Sequence, residues 1–212
     1  VLADDIRTPS GVGSQTRYFV ETLLRTGRYK FICLGGAIKH RDYTPVKLEE
    51  FGDDLIIFPV DGYGTQDIVR SAVKQNRVDL IWFMTDPRFW GWLWEMENEI
   101  RPLIPMVYYH VWDNYPYPTY NKVFYESNDF IATISKVTDD IVKTVAPSVK
   151  SQYIPHAVNS DVFRCYDDDE VLTNLKKEVF GEYYDPDKFI FFWNNRNARR
   201  KQSGSLIFWF ND

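Results

Sequence analysis

Short apolar runs alternate with helical patterns along the 212 residues of this chain. Several runs lack the in-and-out alternation of a half-buried strand, which is typical of strands covered on both faces. Such strands with helices between them favour a parallel sheet, because parallel neighbours need a crossover connection. The predicted strands cover residues 1–3, 30–34, 55–58, 80–84, 105–111, 130–133, 152–154 and 189–193.

Helices are predicted where apolar residues recur three or four positions apart and a capping residue stands at one end. Gly27 is expected to end the first helix, and Ser135 to cap another at its N-terminus. The predicted helices cover residues 13–26, 67–75, 90–101, 136–145 and 170–180. Strands and helices together predict a Rossmann-like, doubly wound α/β fold with the sheet between two helical layers.

The composition argues against several classes of protein. A net charge of −5 provides no general attraction to nucleic acid or to anionic lipid. Cys33 and Cys165 form no disulfide framework, which fits a reducing compartment, so a cytoplasmic location is expected. The sequence predicts neither a signal peptide nor a membrane span.

Two domains are predicted, with a boundary region around residues 155–169. The first, residues 1–165, is expected to be the Rossmann-like domain. The second, residues 166–212, is expected to hold a linker and the first strand, loop and helix of another domain. Because the chain starts inside a predicted strand and stops soon after residue 201, it is expected to be a truncated piece of a longer protein.

Two glycines, Gly11 and Gly13, stand where the first strand leads into the first helix. Glycine lets a ligand approach the backbone closely, and the free N–H groups and dipole of a helix N-terminus favour an anion. A nicotinamide-dinucleotide site would need an acidic residue after the second strand, where Gly35 and Gly36 stand instead. An anion site and a plain turn both remain open.

Four cations lie close together beyond the last predicted strand: Arg196, Arg199, Arg200 and Lys201. Charges on a loop at the end of a buried strand predict an anion-binding site, because the strand would hold the loop in place. Solvated surface charge is the alternative, and it is favoured for Arg199 and Arg200.

Several motifs occur in one order along the chain. They are Pro9-Ser10-Gly11-Val12-Gly13, Tyr108-Tyr109-His110-Val111-Trp112-Asp113-Asn114, Ile131-Ala132-Thr133-Ile134-Ser135-Lys136, Ile154-Pro155-His156-Ala157-Val158-Asn159 with Phe163, and Asn195-Arg196 with Lys201. In this order they resemble the family 4 retaining glycosyltransferases of the GT-B fold, in which two Rossmann-like domains face each other across a cleft. Ala157 and Asn159 depart from the family pattern, which usually has Gly and Asp there, and the family's E-x7-E segment is not within the chain.

The resemblance implies an enzyme that moves a sugar from a nucleotide-sugar donor to a carbohydrate, lipid or protein glycan acceptor with retained configuration. Arg196 and Lys201 match the family's diphosphate-binding pair and would act with the backbone of Gly11 and Gly13. His110 would position the sugar, and its alternative is a buried histidine bonded to a backbone carbonyl.

Four further residues are candidates beside His110. Asp113 is a second candidate at the catalytic centre, where it would hold the acceptor or His110. Asp86 ends a predicted strand and is an acceptor-side candidate, although a turn-forming aspartate is the alternative. Trp112 and Tyr115 offer aromatic faces on which an acceptor sugar could stack.

No metal or other cofactor is expected, because the histidines are scattered and fixed cations with helix N-termini can neutralise a diphosphate without a metal. Nucleic acid is not an expected partner. Peripheral membrane contact and self-association through the apolar stretch at residues 205–210 stay open. A nicotinamide-dependent oxidoreductase domain and a non-catalytic sugar-binding or interaction module also remain as alternative functions.

Overall fold

A computed structural model describes residues 1–211 and shows an eight-stranded sheet that is parallel except for one short edge strand. The order across the sheet is β3-β4-β2-β1-β5-β6-β7-β8. Its strands are β1 Leu2–Asp4, β2 Phe31–Gly36, β3 Val46–Lys47, β4 Leu55–Pro59, β5 Ile81–Met84, β6 Met106–His110, β7 Phe130–Thr133 and β8 Ser151–Tyr153. The prediction of a Rossmann-like α/β fold is therefore confirmed.

The winding of the sheet reverses at its centre. β1 pairs with β2 on one side, where Leu2 is opposite Leu34, and with β5 on the other, where Leu2 is opposite Phe83. The strands β2, β3 and β4 lie on one side of β1, and the chain then returns to the centre and adds β5, β6, β7 and β8 in turn on the other side. In open sheets of this type, ligands bind at the carboxyl ends of the strands where the order reverses. We call that side of the sheet the carboxyl edge.

Within residues 1–211 there are eight α-helices, several of them short. Ser10, Thr65 and Ser135 cap three of them, because each hydroxyl accepts a hydrogen bond from a backbone N–H of the first turn. The helices are α1 Gly11–Leu24, α2 Gln66–Gln75, α3 Gly91–Trp94, α4 Glu97–Ile100, α5 Lys122–Glu126, α6 Lys136–Val145, α7 Asp169–Phe180 and α8 Ser203–Asn211.

Aromatic side chains fill the core beneath β5 and β6. Phe83 stacks on Tyr108 with ring centroids 4.9 Å apart, and Trp90 and Trp94 meet Phe83 edge-on. All four rings are buried and belong to the core. Such pairs stabilise the fold beyond the area that they bury.

The chain divides into two compact units, residues 1–158 and the residues from Asn159 onward. In the second unit, Asp168 caps α7 by accepting from the N–H groups of Glu170 and Val171. The strand predicted at residues 189–193 is absent, and Phe189 and Phe192 are exposed. A strand needs a neighbour for its backbone hydrogen bonds, and no strand forms within residues 159–211.

Candidate functional site

The loop between β1 and α1 forms one wall of the carboxyl edge. Ser10 Oγ accepts from Gly13 N at 2.9 Å and donates to Asp4 Oδ2 at 2.6 Å. A Cβ on Gly13 would lie 2.8 Å from Thr8 O, so this glycine is required for close packing of loop and helix. A Cβ on Gly11 would meet nothing within 4 Å.

The start of α1 therefore has space beside it. Within residues 1–211, no acceptor takes the N–H of Gly11 or of Val12. α1 is 14 residues long, so its dipole adds to the effect of these amides. Free donors with open space favour an anion at this helix end.

Asp5, at the end of β1, is tied into the fold. Its carboxylate is fully buried and accepts hydrogen bonds from the backbone N–H, Nε and Nη2 of Arg7. Burial opposes ionisation, but the hydrogen bonds and charge of Arg7 outweigh it and hold the pKa of Asp5 below its ordinary value. Asp5 thus serves the structure of the loop.

Asp4 differs from Asp5 because its partners are hydroxyl groups. Its Oδ1 accepts from the Tyr63 hydroxyl at 2.9 Å, and Tyr63 lies 3.5 Å from Thr85 Oγ1. Burial is the main cause that raises the pKa of Tyr63 to about 12, so this phenol stays protonated at neutral pH. The cluster Asp4–Tyr63–Thr85 joins the ends of β1 and β5 and was not predicted from the sequence. Its members come from three distant segments.

His110 ends β6 and is completely buried. Its Nε2 lies 2.8 Å from the Tyr125 hydroxyl, and its Nδ1 has no partner within residues 1–211. Burial lowers the pKa of His110 to about 3, so the ring is neutral at physiological pH. The partner that the structure shows is thus a phenol, whereas the alternative considered from the sequence was a backbone carbonyl.

Asp86 caps a 3₁₀ turn at Pro87–Phe89 and accepts two hydrogen bonds from the Arg88 guanidinium, each at 2.8 Å. The guanidinium also lies 6.0 Å from the centre of the Trp112 ring, within range of a cation–π interaction. Asp86 therefore has the turn-forming role that an Asp-Pro sequence favours. Arg88 connects Asp86 with Trp112, and no sequence pattern had predicted a role for Arg88.

The other two candidates of this loop are exposed. Asp113 lies on the surface, and Tyr115 is 88 % exposed with its ring 6.1 Å from that of Tyr117. Neither side chain is hydrogen-bonded to His110 within the described chain. Tyr115 has a free aromatic face, and no side chain of residues 1–211 pairs with the Asp113 carboxylate.

The residues that leave β8, 154–158, cross the carboxyl edge, and we call them the exit segment. The Gln15 amide of α1 donates to Ala157 O at 2.6 Å and accepts from Ala157 N at 3.1 Å. The Tyr109 hydroxyl donates to Ile154 O at 2.9 Å, and its ring meets His156 edge-on. The exit segment is thus attached to both α1 and β6.

The two cations predicted to bind a diphosphate lie in the second unit. Arg196 belongs to an irregular stretch, and Lys201 ends a 3₁₀ turn at Arg199–Lys201. No carboxylate of residues 159–211 forms an ion pair with either of them. Both charges are therefore available to an anion.

Three further observations describe residues 1–211. No group of three or more His, Cys, Asp or Glu side chains there is arranged to hold a metal ion. No helix of the described chain is long and apolar enough to cross a bilayer. A cavity of about 570 Å³ opens at the opposite edge of the sheet, beside Val1, Phe19 and Trp82, and none of the predicted site residues lines it.

Comparisons of the chain with protein-family models, with curated proteins and with solved structures give no match.

Proposed function

We propose that the chain is part of a glycosyltransferase that moves a sugar from a nucleotide-sugar donor to an acceptor with retained configuration. One observation carries the proposal. Three of the motif segments that resemble family 4 glycosyltransferases lie at one edge of the sheet. They are the start of α1, the end of β6 with His110, and the exit segment, which Gln15 and Tyr109 attach to the other two.

The chemistry of transfer explains why these groups would serve. As the bond between the sugar carbon and the diphosphate oxygen breaks, negative charge grows on the leaving diphosphate. Within the first unit, the free N–H groups of Gly11 and Val12 would stabilise such a charge. For the second unit, the family resemblance implies the same role for Arg196 and Lys201. The amides of Gly11 and Val12 are preorganised by α1, and donors of this kind need no metal ion.

His110 fits a positioning role better than proton transfer. Its ring is neutral, because burial holds its pKa at about 3, so it is a poor acid near pH 7. A neutral imidazole can still donate one hydrogen bond to a sugar hydroxyl.

The first test measures binding of UDP, GDP and ADP by calorimetry, together with transfer from the matching nucleotide-sugars. Arg196→Ala or Lys201→Ala should weaken diphosphate binding by roughly tenfold, because each removes a charged hydrogen bond. Turnover should fall by about 10²–10³-fold. Arg199→Ala and Arg200→Ala are the matched controls, and they should change either quantity little.

Equal losses in all four variants would contradict the proposal, since a general field of positive charge would then explain the binding. Enhanced and blue-shifted NADH fluorescence without nucleotide-sugar turnover would favour an oxidoreductase instead. If turnover is found, the anomeric proton coupling of the product in NMR spectra would test whether configuration is retained.

A further inference from the structure

A chain of buried hydrogen bonds leads from Asn121 through Tyr125 to His110. Asn121 Nδ2 donates to the Tyr125 hydroxyl at 3.4 Å, and that hydroxyl lies 2.8 Å from His110 Nε2. Asn121 is 3 % exposed, and the other two side chains are fully buried. The two hydrogen bonds are buried, and the partners of the Tyr125 hydroxyl and of His110 Nε2 come from the protein itself.

The direction of the hydrogen bonds follows from the inventory of donors. The amide nitrogen of Asn121 can only donate, so it occupies a lone pair of the Tyr125 oxygen. The phenolic proton of Tyr125 then needs an acceptor, and His110 Nε2 is the one that the structure offers. The opposite direction would leave that phenolic proton buried without a partner.

Both rings are held in their neutral forms. Burial raises the pKa of Tyr125, so the phenol keeps its proton, and burial lowers the pKa of His110 despite the opposing charge of Asp86. Tyr108 packs 4.9 Å from the imidazole and is also protonated, because burial raises its pKa well above the ordinary value. A neutral imidazole that accepts at Nε2 carries its proton on Nδ1.

We infer that Asn121 and Tyr125 are positioning residues that fix His110 as the Nδ1–H tautomer, so that it presents a single neutral donor at the carboxyl end of β6. Its Nδ1 is buried and has no partner within residues 1–211, which leaves this donor for an added oxygen atom. Under the proposed function, on which this last step depends, that atom is a sugar hydroxyl.

The tautomer can be read without any substrate. In protein labelled with ¹⁵N-histidine, a long-range ¹H–¹⁵N correlation spectrum distinguishes the two ring nitrogens of His40, His110 and His156, and His110→Gln assigns the His110 signals. We expect the Nδ1–H pattern for His110, unchanged between pH 8 and pH 5. An Nε2–H pattern in the unsubstituted protein would overturn the inference.

Two substitutions test the roles of the partners. Tyr125→Phe keeps the ring but removes the proton donor, so the His110 signals should move toward a mixture of both tautomers. Asn121→Asp is nearly isosteric and should accept the phenolic proton, which leaves Nε2 to carry the hydrogen. His110 should then switch to the Nε2–H pattern. Unchanged His110 signals in both folded variants would overturn the inference.

The outcome is separable from the proposed function. If the Nδ1–H pattern is found and no nucleotide-sugar is turned over, only the glycosyltransferase proposal fails. If turnover is found with an Nε2–H imidazole, only the positioning roles of Asn121 and Tyr125 fail. The signals of His40 and His156 should be the same in every variant, which controls for general unfolding.

Discussion

Three buried ring nitrogens lack a hydrogen-bond partner within residues 1–211: Trp90 Nε1, His110 Nδ1 and Trp112 Nε1. Buried polar groups in native proteins are nearly always paired, so each exception requires an explanation. His110 ends β6 and Trp112 follows it at the carboxyl edge, where ligands bind in open α/β sheets, whereas Trp90 lies in the core beneath β5 and β6. Two of the three unsatisfied groups therefore belong to candidate site residues.

The depressed pKa of His110 predicts a stability that depends on pH. The unfolded chain binds a proton near pH 6.5, whereas the folded protein does so only near pH 3. Between these values the unfolded state holds more protons, so the free energy of unfolding decreases as the pH falls. His110 alone should lower it by about 2 kcal/mol between pH 7.5 and pH 5.

Urea denaturation at a series of pH values measures this effect, and His110→Gln provides the comparison. The variant should lose the His110 part of the slope, whereas His156→Gln should keep it, because that variant leaves the buried His110 intact and His156 is exposed. Parallel curves for the unsubstituted protein and His110→Gln would contradict the assigned burial of the neutral ring. Asp5 contributes with the same sign but in more acidic solution, as its pKa is depressed below an ordinary value of 3.8.

At this scale, the sequence indicated single residues and missed their partners. His110 was predicted from its place at the end of a strand and from the family resemblance, and Asp86 from its place at the end of another strand. Tyr125 lies in α5 and Asn121 in the turn before it. No helix was predicted from the sequence of this segment. Arg88 carries no motif of its own, so only its contacts with Asp86 and Trp112 single it out.

Among the elements, the end of β2 packs directly against the loop that follows β4. A Cβ on Gly36 would lie 2.2 Å from Gly62 O, a backbone atom that also accepts from Ala37 N at 2.7 Å. The oxygen cannot move away without losing that hydrogen bond. Gly36 is therefore required by the contact between two segments and by no feature of its own strand.

We expect Gly36→Ala to destabilise the protein by about 1–3 kcal/mol, the usual cost of overpacking. Gly91→Ala is a suitable control, since a Cβ there would meet nothing within 4 Å. Chemical denaturation of the two variants gives the comparison. Equal stability in both would show that the β4 loop adapts at little cost.

The limits of sequence patterns appear in particular elements. The apolar spacing around Trp90 predicted one helix, but the backbone forms two, Gly91–Trp94 and Glu97–Ile100. Periodicity reports which side chains are buried and does not report whether the backbone is continuous. β3 has two residues, too few for any pattern, and the predicted strand at residues 189–193 did not form because a strand depends on its neighbours.

At the scale of the whole molecule, the two compact units should differ in resistance to protease. Residues 1–158 contain the sheet, whereas the stretch from Asn159 to the start of α7 is exposed and has no regular structure. Trypsin should cleave first beyond residue 158, at Arg164 or in the cationic stretch around Arg196, because proteolysis needs a locally open backbone.

Mass spectrometry of early digestion products checks this expectation. A stable product that retains residues 1–158 should accumulate while the second unit is degraded. Early cuts after Lys or Arg within residues 1–158, such as Arg17 in α1 or Lys143 in α6, would contradict the division into a stable sheet and a less protected unit.

The sequence by itself determined the class of fold, because buried parallel strands must be apolar along their whole length and the helices between them must be amphipathic. It also located glycines at the start of α1 and a histidine at the end of β6. Only the tertiary structure decided which groups those residues meet. The Asp4–Tyr63–Thr85 cluster, the Gln15–Ala157 contact and the Asn121–Tyr125–His110 chain join side chains through space. Hydrogen bonds depend on distance and burial, and the local pattern of a sequence records neither.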